Sequence, residues 1–251
     1  MSELSGRIAL ITGGTRGIGL ATARALIAGG ATVVLTGRDA AHAEAVAKEI
    51  GGHGVGLDVS DFAAVGEVIK RVVAEHGGLD ILVANAGIME NAMLGMIRAD
   101  DVRRTLDINV AGTVAAVQAA ARAMARKRTA ADGTERRGGA IVLLASVVGM
   151  YGAAGQSVYA ASKAAVAALA RSAARELGGR GIRVNAVAPG VIRTDLIASL
   201  PADVLDKQAA AAALGRLGTP EEVADVIRFL VGDGARYVTG QVLGVDGGLI
   251  P

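Results

Sequence analysis

Apolar positions along the chain fall into two kinds of run that take turns. Short, mostly apolar blocks occupy 7–11, 32–36, 54–57, 79–84, 140–145, 183–187 and 242–245. Continuous apolarity over so few residues is the look of strands buried on both faces. Between these blocks, apolar residues three and four apart predict helices over 17–28, 40–50, 62–76, 101–126, 158–177 and 220–231. In 62–76, for example, Val65, Val68, Ile69, Val72 and Val73 share one stripe. Strand and helix therefore repeat about seven times, which implies a parallel sheet with helices on both faces.

Two segments break the alternation. Residues 127–139 are polar, with Arg128, Arg136 and Arg137, and read as a solvated loop. Residues 190–219 mix apolar and polar positions without either period. A long connection inside a compact domain is usually functional or disordered, and here it is read as a substrate loop region. No Pro/Ser linker and no internal repeat divides the chain, so 1–251 is expected to be one α/β domain.

Composition narrows the function classes. Aromatic residues are 2% of the chain, too few for a platform that stacks single-stranded nucleic acid. The net charge of +2 argues for neither nucleic-acid nor membrane binding. Cys is 0, which removes disulfides, thiolate metal sites and cysteine nucleophiles together. His42, His53 and His76 have no partner at ligand spacing, so no metal is expected. With no apolar run near the ~18 residues that span a bilayer, the expectation is a soluble, cytoplasmic protein.

The first strand runs into Thr12-Gly13-Gly14-Thr15-Arg16-Gly17-Ile18-Gly19, which opens the first helix. Glycines at 13, 17 and 19 permit a tight turn, close approach to a pyrophosphate and close helix–sheet packing. The helix N-terminus adds free amides and partial positive charge. An acid about 20 residues after the turn would hold a ribose 2′-hydroxyl and favour NAD. Gly37 stands there, followed by Arg38, and Arg16 is a second cation in reach of a 2′-phosphate. Two guanidiniums favour NADP(H). Asp39 is the carboxylate that counts against it, and the alternative for both arginines is plain surface exposure.

Tyr159 and Lys163 lie four apart on an Ala-rich helix and so share a face. A phenol with its pKa near 10 is a poor acid–base group at neutral pH, and a neighbouring ammonium favours its ionised form. Ser146 follows a buried strand, where its hydroxyl can donate to a carbonyl oxygen that becomes an alkoxide. A lone Tyr-x-x-x-Lys is commonplace as a surface pair. The ordered set of glycine turn, Ser146, Tyr159 and Lys163 is not.

With these residues assembled, the sequence resembles the short-chain dehydrogenase/reductase family over essentially its whole length. The resemblance rests on Thr12-Gly13 with Gly17 and Gly19, Asp58-Val59, Asn85-Ala86-Gly87, Asn109, Ser146, Tyr159-Ala160-Ala161-Ser162-Lys163, and Pro189-Gly190 with Thr194. It implies a single Rossmann-type domain whose seven-stranded parallel sheet has the order 3-2-1-4-5-6-7. It implies Tyr159 as proton donor, Lys163 as the group that lowers its pKa and holds the nicotinamide ribose, Ser146 as the orienter of the substrate carbonyl, and Asn109 as holder of a relay water. Thr15, Arg16, Ile18 and Arg38 would complete the phosphate and ribose contacts. Asp58 and Val59 would border the adenine, and Asn85, Ala86 and Gly87 would pass beside the cofactor. Pro189, Gly190, Ile192 and Thr194 would border the nicotinamide.

Within the family, the stretches 214–222 and 238–248, Gly155-Gln156, and 174–177 with 180–185 are most similar to β-ketoacyl carrier-protein reductases. That likeness implies NADPH-dependent reduction of a 3-oxoacyl thioester, an acidic carrier protein received by Arg128 and Arg180, and a homotetramer formed through the two long helices and the C-terminal strand. Met89, Val148 and Gln156 would face the substrate. Two departures stand out: 129–137 lengthens the segment after Arg128, and Ile88-Met89-Glu90-Asn91 replaces a stretch that often reads Thr-Arg-Asp-Asn. The alternatives are a reductase or dehydrogenase of free small ketones and alcohols, and a non-catalytic NADPH-binding regulator. A hydrolase is disfavoured because no G-x-S-x-G turn is present.

Overall fold

A computed structural model of the chain describes residues 3–125, 128–129, 135–136, 138–194 and 202–249, with the backbone alone at 128–129, 135–136 and 202. The strands are β1 (Ile8–Thr12), β2 (Thr32–Gly37), β3 (His53–Gly56), β4 (Ile81–Ala84), β5 (Arg128–Thr129), β6 (Glu135–Arg136), β7 (Gly139–Leu144), β8 (Ile182–Pro189) and β9 (Val242–Val245). The helices are α1 (Gly17–Ala28), α2 (Ala40–Glu49), α3 (Phe62–His76), α4 (Ala99–Leu106), α5 (Gly112–Met124), α6 (Val148–Tyr151), α7 (Ser157–Leu177), α8 (Ala202–Ala211) and α9 (Pro220–Val231).

Seven strands form one parallel sheet in the order β3-β2-β1-β4-β7-β8-β9. Counting only these strands, the order is 3-2-1-4-5-6-7. Chain direction across the sheet reverses between β1 and β4. In open α/β sheets the crevice at such a switch point, beyond the carboxyl ends of the strands, is where ligands sit. The central strands are buried throughout because helices cover both faces. Leu10, Leu82, Ile141 and Val184 point into the core beneath α3, α5 and α7. Ile11, Val83, Val142 and Val187 point to the opposite face, under α1 and α9.

Helix ends follow local chemistry. Asp39 caps α2 by accepting from the His42 amide, and Asp61 caps α3 by accepting from the Ala63 and Ala64 amides. Thr219 and Glu222 form a reciprocal capping box ahead of α9, with Pro220 in its first turn. In α1 the residue before the helix, Arg16, supplies no side-chain cap, and no acid stands in the first turn.

Three expectations change. The long helix expected over 101–126 is broken by a π-helical segment, Asp107–Ala111, between α4 and α5. Such an insertion is frequent at functional positions, and this one carries Asn109. The segment 127–139, read as a loop, contains a short antiparallel pair of β5 with β6. Residues 190–219 contain α8, and α6 forms a single turn after Ser146. The remaining boundaries agree with the sequence reading within two residues, and those of α1, α3, α9 and β9 coincide with it.

Candidate active site

The glycine turn is locked to the end of β4. The Asn85 side-chain amide donates to the carbonyls of Thr12 (3.1 Å) and Gly13 (2.7 Å). In return the Thr12 hydroxyl accepts from the amides of Asn85 and Ala86, each at 3.1 Å. Gly13 holds φ at +64°, and a Cβ there would lie 2.9 Å from Ala86 Cα, so both conformation and space require glycine. A Cβ on Gly19 would run into the Gly13 carbonyl and stand 2.6 Å from the Asn85 amide nitrogen. Thr194 packs against Gly17 from the other side, which brings the start of the 190–219 region onto the turn. Pro189 accepts from the Val147 amide at 3.1 Å, Gly190 donates to Val245 at 3.0 Å, and Ile192 is buried. The expected nicotinamide border therefore lies beside the residue after Ser146.

Ser146 stands just beyond β7, buried, its hydroxyl accepting from the Val148 amide at 3.2 Å. It also shares a side-chain hydrogen bond with Tyr159, from the first turn of α7. One turn further on, Lys163 is buried, and its ammonium donates to the Leu144 carbonyl at 2.7 Å, 5.7 Å from the Tyr159 ring centroid. Gly149 lets the backbone of α6 rest directly on α7 here, since a Cβ would meet the Lys163 carbonyl carbon at 2.7 Å. Asn109 is 1% exposed and fully engaged: its side chain exchanges hydrogen bonds with the Ile88 amide (2.8 Å) and carbonyl (2.9 Å) and donates to Ser162 Oγ (3.0 Å). Ser162 in turn donates to the Tyr159 carbonyl at 2.7 Å. Gly87 passes beside both groups: a Cβ there would stand 3.2 Å from Asn109 Oδ1 and 3.4 Å from Lys163 Nζ.

Sequence reasoning did not single out Thr12, Ser162, Leu144 or Gly149. Thr12 and Ser162 sit inside the motifs already quoted. The Leu144 contact is a main-chain carbonyl and leaves no side-chain signal. Burial raises the Tyr159 pKa, and the hydrogen bond with Ser146 only opposes it. The phenol thus keeps its proton at neutral pH.

Burial also pulls the Lys163 ammonium down from 10.5 to about 8. Between those values the unfolded chain holds more protons at this position than the folded one. The Lys163 contribution therefore makes stability rise with pH from about 8 to 10.5, and it is a cost at lower pH. Lys163→Met is expected to flatten that rise. Urea midpoints of both proteins across the window check it, and parallel curves would contradict the assignment.

A profile described as "Enoyl-(Acyl carrier protein) reductase" matches residues 13–250. A 3-oxoacyl-(acyl-carrier-protein) reductase of Thermotoga maritima is 40% identical over 253 residues, 99% of each chain. The chain belongs to the short-chain dehydrogenase/reductase family. A cis-4-hydroxycyclohexanecarboxylate dehydrogenase of Sinomonas cyclohexanicum is 46% identical over 248 residues, 96% of each chain. The crystal structure of a short-chain type dehydrogenase/reductase from Mycobacterium marinum superimposes with a TM-score of 0.89 at 37% identity, covering 98% of this chain and 96% of that one.

As a short-chain dehydrogenase/reductase, the protein is an oxidoreductase acting on CH–OH/C=O groups with a nicotinamide cofactor. Its residues fit that group. The amides opening α1 have no side-chain cap, Gly13 and Gly17 hold positive φ, and the buried Thr36 hydroxyl at the end of β2 has no partner among the described residues. Thr15 packs against Gly37, and Arg16 and Arg38 are exposed at the rim. Asp58 accepts from the Ser60 hydroxyl and amide, and with the Arg38 charge these bonds hold its carboxyl below the usual range.

On the substrate side, Gln156 Nε2 donates to Met89 Sδ (3.3 Å) and Asn91 Oδ1 (3.1 Å), and Val148 opens α6. Of the two basic residues expected beside the cleft, only the Arg180 side chain is described, and within one chain it stands away from Tyr159. Arg180 is exposed in the turn Gly178–Arg180 at the far end of α7, a helix of 21 residues that separates it from Tyr159. At 1.5 Å per residue that is roughly 30 Å. The Arg128 side chain lies outside the described residues. Among the described residues no group of His, Asp and Glu could hold a metal, and no helix is long and apolar enough to cross a membrane.

Proposed function

We propose that the protein reduces a 3-oxoacyl thioester, borne by a carrier protein, to the 3-hydroxyacyl product with NADPH. The observation that carries this reading is the convergence of Ser146, Tyr159 and Lys163 one segment away from an uncapped glycine turn. Relatives about 40% identical over nearly the full length carry the matching name. A bound nicotinamide supplies the hydride. Ser146 Oγ donates a hydrogen bond to the ketone oxygen, and the Tyr159 phenol holds the proton that this oxygen takes up as negative charge develops on it. Lys163 keeps an ammonium beneath the phenol and stabilises it once the proton has left. Asn109, braced by Ile88 and Ser162, fixes the π-helical backbone where a relay water would sit.

Preference for NADPH rests on the end of β2. No acid stands at Gly37, and the carboxylate two residues on, Asp39, is engaged in capping α2. Arg16 and Arg38 are exposed, with the Arg38 charge felt at Asp58, and both can meet a 2′-phosphate; each charge-assisted contact of this kind is worth about 1.5–3 kcal/mol. We expect kcat/KM with NADPH to exceed that with NADH by roughly 10- to 100-fold, the range that one such contact supplies. An NADH preference would overturn this part of the proposal.

A second reading is supported by the 46% identity to an alicyclic hydroxy-acid dehydrogenase: oxidation or reduction of a free ring alcohol or ketone. A panel of acetoacetyl carrier protein, acetoacetyl coenzyme A, 4-oxocyclohexanecarboxylate and simple ketones, followed by NADPH absorbance, decides between them. The region 190–219 is assigned to the substrate side, and the assembly to a cytoplasmic homotetramer joined through α5, α7 and the edge strand β9.

A further inference from the structure

The chain has no cysteine, so its six methionines hold all of its oxidisable sulfur. Their placement is uneven. Met124 is fully buried in the core, and Met1 lies outside the described residues. The other four stand on the two segments that flank Ser146 and Tyr159. Met93 is 58% exposed, Met96 76% and Met150 44%. Met89 is half-buried, with its sulfur accepting from Gln156. The two segments are joined: the Ala92 amide donates to the Gly155 carbonyl at 2.8 Å, and Gly155 faces the Met93 sulfur.

We propose that this methionine rim is a site of reversible oxidation by hydroperoxides, and that oxidation weakens productive binding of apolar substrates. In the step, the O–O bond of hydrogen peroxide breaks and one oxygen bonds to a thioether sulfur. The sulfur loses two electrons, and the second oxygen leaves as water. A flexible apolar side chain becomes a polar, chiral sulfoxide. At Met93, Met96 and Met150 this replaces apolar rim by polar rim. At Met89 the weak sulfur acceptor of the Gln156 amide becomes a longer, strong oxygen acceptor, which changes the position of Gln156. The cofactor end contains no methionine, so its affinity is untouched. The effect on substrate rests on the proposed assignment of the Ser146–Tyr159 end as the substrate end.

The test treats the full-length protein with hydrogen peroxide, quenches it, and maps oxygen gain by peptide mass spectrometry. KM is then measured for an acetoacetyl thioester, or for whichever carbonyl compound the panel shows to be reduced, and for NADPH. The expected result is oxidation of the four rim methionines with Met124 spared. KM for the carbonyl substrate rises at least ~5-fold, the NADPH KM does not change, and methionine sulfoxide reductase restores the original value. Met89, Met93, Met96 and Met150 replaced together by Leu should abolish the response, each protein being compared with its own untreated sample. Unchanged KM despite rim oxidation, equal sensitivity of the Leu variant, or preferential oxidation of Met124 would each overturn the proposal. Failure to reduce any 3-oxoacyl thioester would instead overturn the substrate assignment and leave the oxidation map as the deciding result.

Discussion

Tyr159→Phe is expected to lower kcat/KM for the carbonyl substrate by about 10²–10⁴-fold, the usual worth of a positioned general acid. The substitution removes one oxygen and no packing. The ring still fills its place on α7, and the hydrogen bond lost to Ser146 is worth only about 0.5–1.5 kcal/mol of stability. Binding of the cofactor should stay within about twofold, because the glycine turn and the Asn85 lock do not touch the phenol. Single-turnover absorbance with NADPH and a fluorescence titration of cofactor binding separate the two quantities. Retention of more than about a tenth of the wild-type rate would remove Tyr159 as the proton donor. The raised phenol pKa adds a direction: the donor form persists across neutral pH and is lost only as alkaline pH ionises the phenol.

The second large effect is expected from Gly19→Ala. The added methyl would press on the Gly13 carbonyl and stand 2.6 Å from the Asn85 amide nitrogen, inside the hydrogen bond that those two groups share. Neither neighbour can yield without opening the lock between β1 and β4. Overpacking of this kind costs ~1–3 kcal/mol of stability, and a displaced turn loses its aim at a pyrophosphate. We expect the cofactor Kd to rise by ~100-fold or more, the equivalent of about 2.7 kcal/mol of lost contacts. Gly66→Ala in α3 is the control. Nothing lies within 4 Å of its added methyl, and stability should rise slightly, by ~0.5–1 kcal/mol. Isothermal titration with NADPH and thermal melts of both variants give the comparison. Equal cofactor affinity in Gly19→Ala and wild type would show that the turn does not carry the phosphates.

Much of the fold was legible because a doubly covered parallel sheet makes its strands apolar end to end, as Ile81–Ala84 and Gly139–Leu144 are. What was missed has physical reasons. Four residues of α6 cannot display a period of 3.6. The π-helical segment Asp107–Ala111 runs without a break from α4 into α5 and carries no Gly or Pro to mark it, so the helix read as continuous. In the site, Tyr159 and Lys163 declared themselves through spacing, and Ser146 through its place after a strand. The brace from Asn109 through Ser162 to the Tyr159 carbonyl joins residues 53 positions apart, and the Lys163 anchor is a main-chain oxygen. Contacts of that kind exist only once the chain has folded. Arg180 shows the converse: a residue grouped with the motif by resemblance is carried to the far end of the helix that bears Tyr159.

The open entry to α1 ties the protein's lifetime to its ligand. Where α2, α3 and α9 complete their first turns with their own side chains, α1 leaves its amides to whatever anion arrives. A ligand that binds only the folded turn shifts the folding equilibrium by mass action, by about 2.7 kcal/mol at a hundred times its Kd. That is close to a hundredfold change in the unfolded fraction open to proteases. The steady-state amount of this enzyme should therefore follow the size of the dinucleotide pool, falling by degradation when the pool is depleted even if synthesis is constant.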